Sequence, residues 1–275
     1  MHMLNTKNII GLSLGLCVLS AEVQANNWSD TSVGVRWSTG FKEPYNPNKI
    51  TKTILNATHV SKDNYGRNFL FLDYYISDTN DPSKDGVTGA EEFYGFYRRT
   101  LSYNALAESK ISNSLIKDVH LTTRIDAGYE NTALSPRPFK VRAGSLVDIN
   151  IPKGHLEWGI EGIYQKSHNG ITNKHFEFDP SVVTWINWNY PITPKTQFSG
   201  ILEYMGAIGE DGFGNETKPL TIFRANLIHD IGQPKGFKVG VGYELFNNKY
   251  SSNNEKDPTG NSDQSTALLL ASYHF

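Results

Sequence analysis

Polar and apolar residues trade places at every step along "DVHLTTRIDAGYE" (118–130). Val119, Leu121, Thr123, Ile125, Ala127 and Tyr129 share one face, and His120, Thr122, Arg124, Asp126, Gly128 and Glu130 share the other. The next run, "FKVRAGSLVDINI", places Phe139, Val141, Ala143, Val147, Ile149 and Ile151 against Lys140, Arg142, Gly144, Leu146, Asp148 and Asn150. "HLEWGIEGIYQ" continues with Leu156, Trp158, Ile160 and Tyr164 against Glu157, Glu161 and Gln165. A period of two predicts β-strands. At roughly ten to thirteen residues each, the runs exceed the usual soluble strand and suit a tilted bilayer crossing.

The connections alternate in length. "PKG", "PITPKT" and "GQPKG" are short, whereas "NTALSPRP", "SHNGITNKHFEFDP", "IGEDGFGNETKP" and "NNKYSSNNEKDPTGNSD" are long and polar. Short turns on one side and long loops on the other mark outer-membrane barrels. Strands are expected at 31–41, 49–60, 66–76, 91–102, 118–130, 139–151, 155–166, 181–190, 196–206, 220–230, 237–247 and 264–275. The fold class that follows is all-β: a single transmembrane antiparallel β-barrel of about 12 strands over 26–275, with both termini periplasmic. "NALAESKISNSLIK" (Asn104 to Lys117) breaks the alternation, being long where a short turn is expected.

The two ends of the chain agree with export and closure. "IIGLSLGLCVLS" followed by "AEVQA" reads as a signal peptide over 1–25, too short to span a bilayer. Its Cys17 is the only cysteine, and Leu16 before it argues against lipidation. Disulfides and thiolate metal sites are therefore not expected. At the other end Leu269, Ala271, Tyr273 and Phe275 form one stripe, although Leu268 and Leu270 interrupt the polar face. A strand paired along its whole length explains this, with the last strand joined to Val33, Val35 and Trp37 of the first so that no edge stays open. Tyr273 and Phe275 are the expected assembly signal. A mean hydropathy of −0.43 with 14 Tyr, 14 Phe and 5 Trp fits a wall in which only alternate residues meet lipid. The net charge of −2 gives no reason to expect nucleic acid.

Catalytic chemistry is not signalled. G-x-S-x-G, H-E-x-x-H and P-loop patterns are missing from 26–275, the chain that follows the expected signal peptide. A rim-facing lipid hydrolase would need a serine beside a histidine such as His155 or His229, and the sequence sets none there. "SDTNDPSKDG" (77–86) and "GEDGFGNE" (209–216) lack the full acid spacing of calcium loops and read as solvated external loops. No metal or other cofactor is expected. The inward-facing candidates are Arg36, His120, Arg124, Asp126, Arg142, Asp148, Glu157, Glu161, Gln165, Trp185, Asn187, Asn189, Glu203, Arg224, Lys238 and Glu244. Their signs are mixed. Salt bridges across the wall account for most of them, and a subset with Gln165, Trp185, Asn187 and Asn189 offers hydrogen bonds and stacking to an uncharged polar solute.

"WSDTSVGVRWSTGFKEPYNPNKITKTILNATH", "SDTNDPSKDGVTGAEEFYGFYR" and "GEDGFGNETKP" resemble the nucleoside-specific, Tsx-type channels, a family that includes the OmpK-type phage receptors. The resemblance covers the mature chain and implies a monomeric twelve-stranded barrel with a narrow lumen. It also implies passive uptake of nucleosides and use of the external loops by phages and colicins. No solute-contacting residue is carried over from it. The expected partners are outer-membrane lipid, the barrel-assembly machinery and a small polar solute. A structural or adhesion barrel with a filled lumen is the alternative from another class, and the lipid hydrolase is a more distant one.

Overall fold

A computed structural model describes residues 28–108, 110–232 and 235–275; the signal-peptide expectation for 1–25 lies outside them. Among the described residues, thirteen strands form one antiparallel sheet. They are β1 (Ser29–Phe41), β2 (Ile50–Lys62), β3 (Gly66–Ser77), β4 (Glu91–Ser102), β5 (Ile116–Glu130), β6 (Phe139–Ile149) and β7 (His155–Asn169). The series continues with β8 (Lys174–Glu177), β9 (Ser181–Thr193), β10 (Thr196–Met205), β11 (Leu220–Ile231), β12 (Phe237–Asn247) and β13 (Gln264–His274). Each wall strand pairs with its neighbours in the sequence. The short β8 departs from this, pairing only with the end of β7 from Lys166 to Asn169, while the rest of β7 pairs with β9. Twelve strands therefore make the wall.

Closure is direct. β13 pairs with β1 through Val33↔Tyr273, Val35↔Ala271 and Trp37↔Leu269, so the backbone groups of both are satisfied, as hydrocarbon demands. Phe275 lies just beyond the last strand. Its N–H still reaches the Thr31 carbonyl at 2.9 Å, and its ring meets Tyr273 edge-on at 5.1 Å.

The outer face is apolar. Val33, Val35, Leu55, Leu121, Ile125, Val141, Ile160, Leu202, Val241 and Leu269 are all exposed. Aromatic residues flank this band: Phe93, Tyr129, Tyr204 and Tyr243 toward the long loops, and Tyr65, Tyr190, Phe198 and Phe237 toward the short turns. An apolar band between two aromatic girdles is the surface of a lipid-embedded barrel. No described helix is long and apolar enough to cross a membrane.

The unexpectedly long connection holds a four-residue helix, α1 (Tyr103–Leu106), capped by the Ser102 hydroxyl accepting from the Ala105 N–H at 3.0 Å. Asn104 fastens the remainder. Its side-chain amide donates to the Ile111 and Lys117 carbonyls at 2.6 and 3.0 Å and accepts from the Ile111 N–H. This is an ordinary capped loop, and most of its length is not helical. Leu268 and Leu270, which spoil the alternation of β13, also find a reason: they belong to an inner apolar cluster with Phe41, Ile50 and Ile54.

Candidate functional site

Strand parity turns every predicted lumen residue inward. His120, Arg124, Asp126, Arg142, Glu157, Glu161, Gln165, Trp185, Glu203, Lys238 and Glu244 are buried there. Arg36, Asp148, Asn187 and Arg224 are half-buried, and Asn189 is exposed near the short-turn rim. Three layers of polar contacts occupy the interior.

Near the short turns, Arg67 of β3 reaches across to Asp148 of β6 and Glu157 of β7, with 3.0 Å to each carboxylate. His155 joins Glu157 at 3.0 Å, and His120 joins Asp148 at 3.0 Å. The ligand atoms of Asp148, His155 and Glu157 lie within 4.8 Å of one another, a spacing that would suit a metal ion. The Arg67 guanidinium already supplies the positive charge between the two acids. Lys238 pairs with Asp230 at 2.8 Å in the same end of the barrel.

In the middle, Arg98, Arg124 and Arg142 stand side by side on β4, β5 and β6. Arg124 grips Asp126 with two hydrogen bonds, Nε to Oδ1 at 2.8 Å and Nη2 to Oδ2 at 2.6 Å; Asp126 also receives the Tyr94 hydroxyl. Arg142 crosses the barrel to clamp Glu203 of β10 at 2.9 and 3.1 Å. Arg98 crosses as well, laying its guanidinium 4.3 Å from the Trp185 ring centre and 3.7 Å from Glu161. Charges buried this deeply persist only when paired. Leu146, Ile163, Val183, Trp185 and Met205 fill the space beside them.

Toward the long loops, Arg36 pairs with Asp73, which also accepts from Asn56 at 2.7 Å and Tyr75 at 2.9 Å. Arg224 pairs with Glu244 at 2.5 Å. Above them Lys52 and Lys249 share Glu43 at 2.6 and 2.9 Å. Burial alone would raise the Glu43 carboxyl, but the two lysines hold it below its ordinary value. Lys249 comes from the β12–β13 connection, where Asn248, Tyr250 and Ser251 all carry positive φ. That tight path lets the lysine reach the Lys42 carbonyl at 2.7 Å and Gln264 at 3.0 Å.

The interior is lopsided. On β5, β6, β7, β9 and β10 inward side chains such as Thr122, Arg142, Gln165, Trp185 and Glu203 are buried, Arg142 and Glu203 by their contact with each other across the lumen. On β1, β2, β3 and β11 the inward Arg36, Asn56, Thr58, Phe69, Phe71, Arg224 and Asn226 keep partial exposure, while Ser38, Ile50, Lys52, Ile54 and Asp73 nearer the long loops are buried. Solvent therefore reaches part of the inside along this second wall, past an aromatic surface. Phe71 stacks on Phe96 at 5.1 Å, and Phe69 meets Phe96 edge-on at 5.4 Å.

Sequence reasoning missed Arg67, Phe69, Phe71, Phe96, Arg98 and the lysine pair on Glu43. In "GRNFLFLDYYIS" both faces are apolar, so polarity does not alternate. Counting by twos from Arg67 would have placed Phe69, Phe71 and Asp73 on one side. The two loops that faintly suggest calcium sites bind themselves: Asp211 accepts from the Phe213 and Asn215 N–H groups. Asp85 accepts from Ser83, Val87 and Thr88, which lowers its carboxyl to about 2. Of the histidines weighed for a hydrolase, His155 is engaged by Glu157 and His229 contacts the Thr196 hydroxyl at 3.0 Å.

No family model and no curated protein sequence matches the chain. Solved structures do. An outer membrane channel from Pseudomonas putida F1 is 15% identical over 93% of this chain and 98% of its own, with a TM-score of 0.53. The NanC porin is 12% identical over 88% and 98%, with a TM-score of 0.49. The KdgM porin is 11% identical over 89% and 99%, with a TM-score of 0.44. At such identities the likeness speaks for architecture, and the chain is a closed, twelve-stranded antiparallel β-barrel.

Proposed function

We propose that this barrel is a passive channel of the bacterial outer membrane for small polar solutes that carry a flat ring, nucleosides being the class that the sequence resemblance suggests. The solvent-reached wall formed by β1, β2, β3 and β11 carries this reading. A solute moving along it meets Arg36, Asn56 and Arg224 for hydrogen bonds and Phe69 and Phe71 for ring contact. Weak contacts in series allow release at the far side, as conduction requires. The protein works as a monomer, surrounded by lipid and inserted by the barrel-assembly machinery, and its long loops are where a phage or colicin would attach. No catalytic step is involved.

The cross-lumen struts Arg98–Trp185 and Arg142–Glu203 favour a second reading, a structural barrel with a filled interior. Planar-bilayer recording of the purified, folded protein separates the two. The channel reading expects small, discrete conductance steps that ring-bearing solutes reduce. Folded protein that yields no steps supports the filled barrel.

A further inference from the structure

The guanidinium of Arg98 has a job left undone. Arg98 is 7% exposed, and its Nε and Nη2 have no hydrogen-bond partner among the described residues. These two nitrogens form one edge of the guanidinium, the edge with which Arg124 grips Asp126. A free edge of this shape fits a carboxylate, which accepts two parallel N–H bonds. Glu161 does not fill it: its nearer oxygen stands 3.7 Å away and is held by the Thr122 hydroxyl at 3.1 Å.

Charge bookkeeping in this layer points the same way. Arg124 is matched by Asp126, Arg142 by Glu203, and Arg98 loosely by Glu161. Lys140, opposite Asp126 in the register, makes no ion pair among the described residues. Four basic groups thus face three acids, an excess of one positive charge. Beside Arg98 in the register stands Phe69, and Phe71 and Phe96 complete the half-buried aromatic surface on the solvent-reached wall. Phe96 has one face under Arg124 at 3.7 Å, which leaves Phe69 and Phe71 for a ligand ring.

We infer that the middle of the lumen is a binding site for a flat aromatic ring carrying one carboxylate. The carboxylate takes the free edge of Arg98, and the ring lies along Phe69 and Phe71. Because Arg98 spans the lumen onto Trp185, it leaves the indole to take the ligand, so binding and opening of the strut go together. This narrows the solute class of the channel reading and rests on that reading only for its purpose; the site itself is tested by equilibrium binding.

The probe is benzoate, titrated calorimetrically into the detergent-folded barrel, with cyclohexanecarboxylate, acetate and uridine as comparisons. Benzoate is expected to bind about tenfold tighter than uridine, which has a ring but no charge, and several-fold tighter than cyclohexanecarboxylate, which lacks the aromatic face. Arg98→Gln is expected to weaken benzoate about tenfold or more, and Phe71→Leu several-fold, in barrels that keep their heat-dependent gel mobility. If Arg98→Gln does not fold, Phe71→Leu and the solute series still decide. Uridine binding as tightly as benzoate, or folded Arg98→Gln with unchanged affinity, overturns the inference. A barrel that conducts but binds no benzoate overturns it too and leaves the channel reading standing. Benzoate binding by a barrel that carries no current supports the site and refutes the channel.

Discussion

Val141, on β6, faces outward between Ile125 and Tyr164 of the neighbouring strands and is 38% exposed. Val141→Arg puts a charge into the lipid band, at about 2–4 kcal/mol if it sits near the midplane, and is expected to abolish the heat-dependent gel shift of a folded barrel. Asn226→Arg, inward on the solvent-reached wall, is expected to keep that shift. Thr122→Arg also points inward, yet Thr122 is 2% exposed and held by Glu161. Overfilling that spot costs about 1–3 kcal/mol, so this variant is expected to fold poorly. A Thr122→Arg barrel as stable as the Asn226→Arg one would contradict the lopsided interior. Deleting Phe275 removes both its bond to the Thr31 carbonyl and the last ring of the edge-to-face series Phe237–Tyr273–Phe275. Loss of assembly is expected, read on the same gel.

At the scale of elements, the β12–β13 connection is the one whose path the sequence hid. Strand period and turn length predict every wall strand to within a few residues, because hydrocarbon on one side and polar interior on the other impose a period of two. The same period says nothing about how far a side chain reaches, so the Arg98 and Arg142 struts and the Lys249 latch were illegible. Lys249 ties this connection to Glu43 of the neighbouring β1–β2 loop and to Gln264 at the long-loop mouth. Lys249→Met leaves Glu43 paired with Lys52 and is expected to keep the barrel folded while raising single-channel conductance and its noise. Unaltered current would show that the latch lies clear of the path. Acid should release the loop late. Asp257 is raised by burial but held at about 2 by hydrogen bonds from Thr259 and Ser262, and Glu43 is also depressed. Depressed carboxyls contribute stability that is complete above the unfolded values near 4 and lost as pH falls through the folded ones. Pepsin should therefore spare 248–263 at about pH 4 and cut it near pH 2. Cleavage already at pH 4 would contradict this.

For the whole molecule, one wall of the barrel keeps a solvent-reached stretch while the other is packed across the lumen. The resemblance implies a narrow lumen and the strand pattern an interior of mixed charge, but the asymmetry comes from which strands carry long side chains that meet opposite partners. Arginines on β4 and β6 find Trp185 and Glu203, whereas the inward Asn56 and Thr58 of β2 are too short to reach an opposite wall. Cysteine scanning of single channels tests this most directly, since Cys17 is the only cysteine. A charged, water-soluble thiol reagent is applied to Thr58→Cys and Gln165→Cys barrels during recording. The account predicts a stepwise fall in current for Thr58→Cys and none for Gln165→Cys, which is 4% exposed in the native chain. Block at Gln165→Cys with none at Thr58→Cys, or no current from a folded barrel, would contradict it.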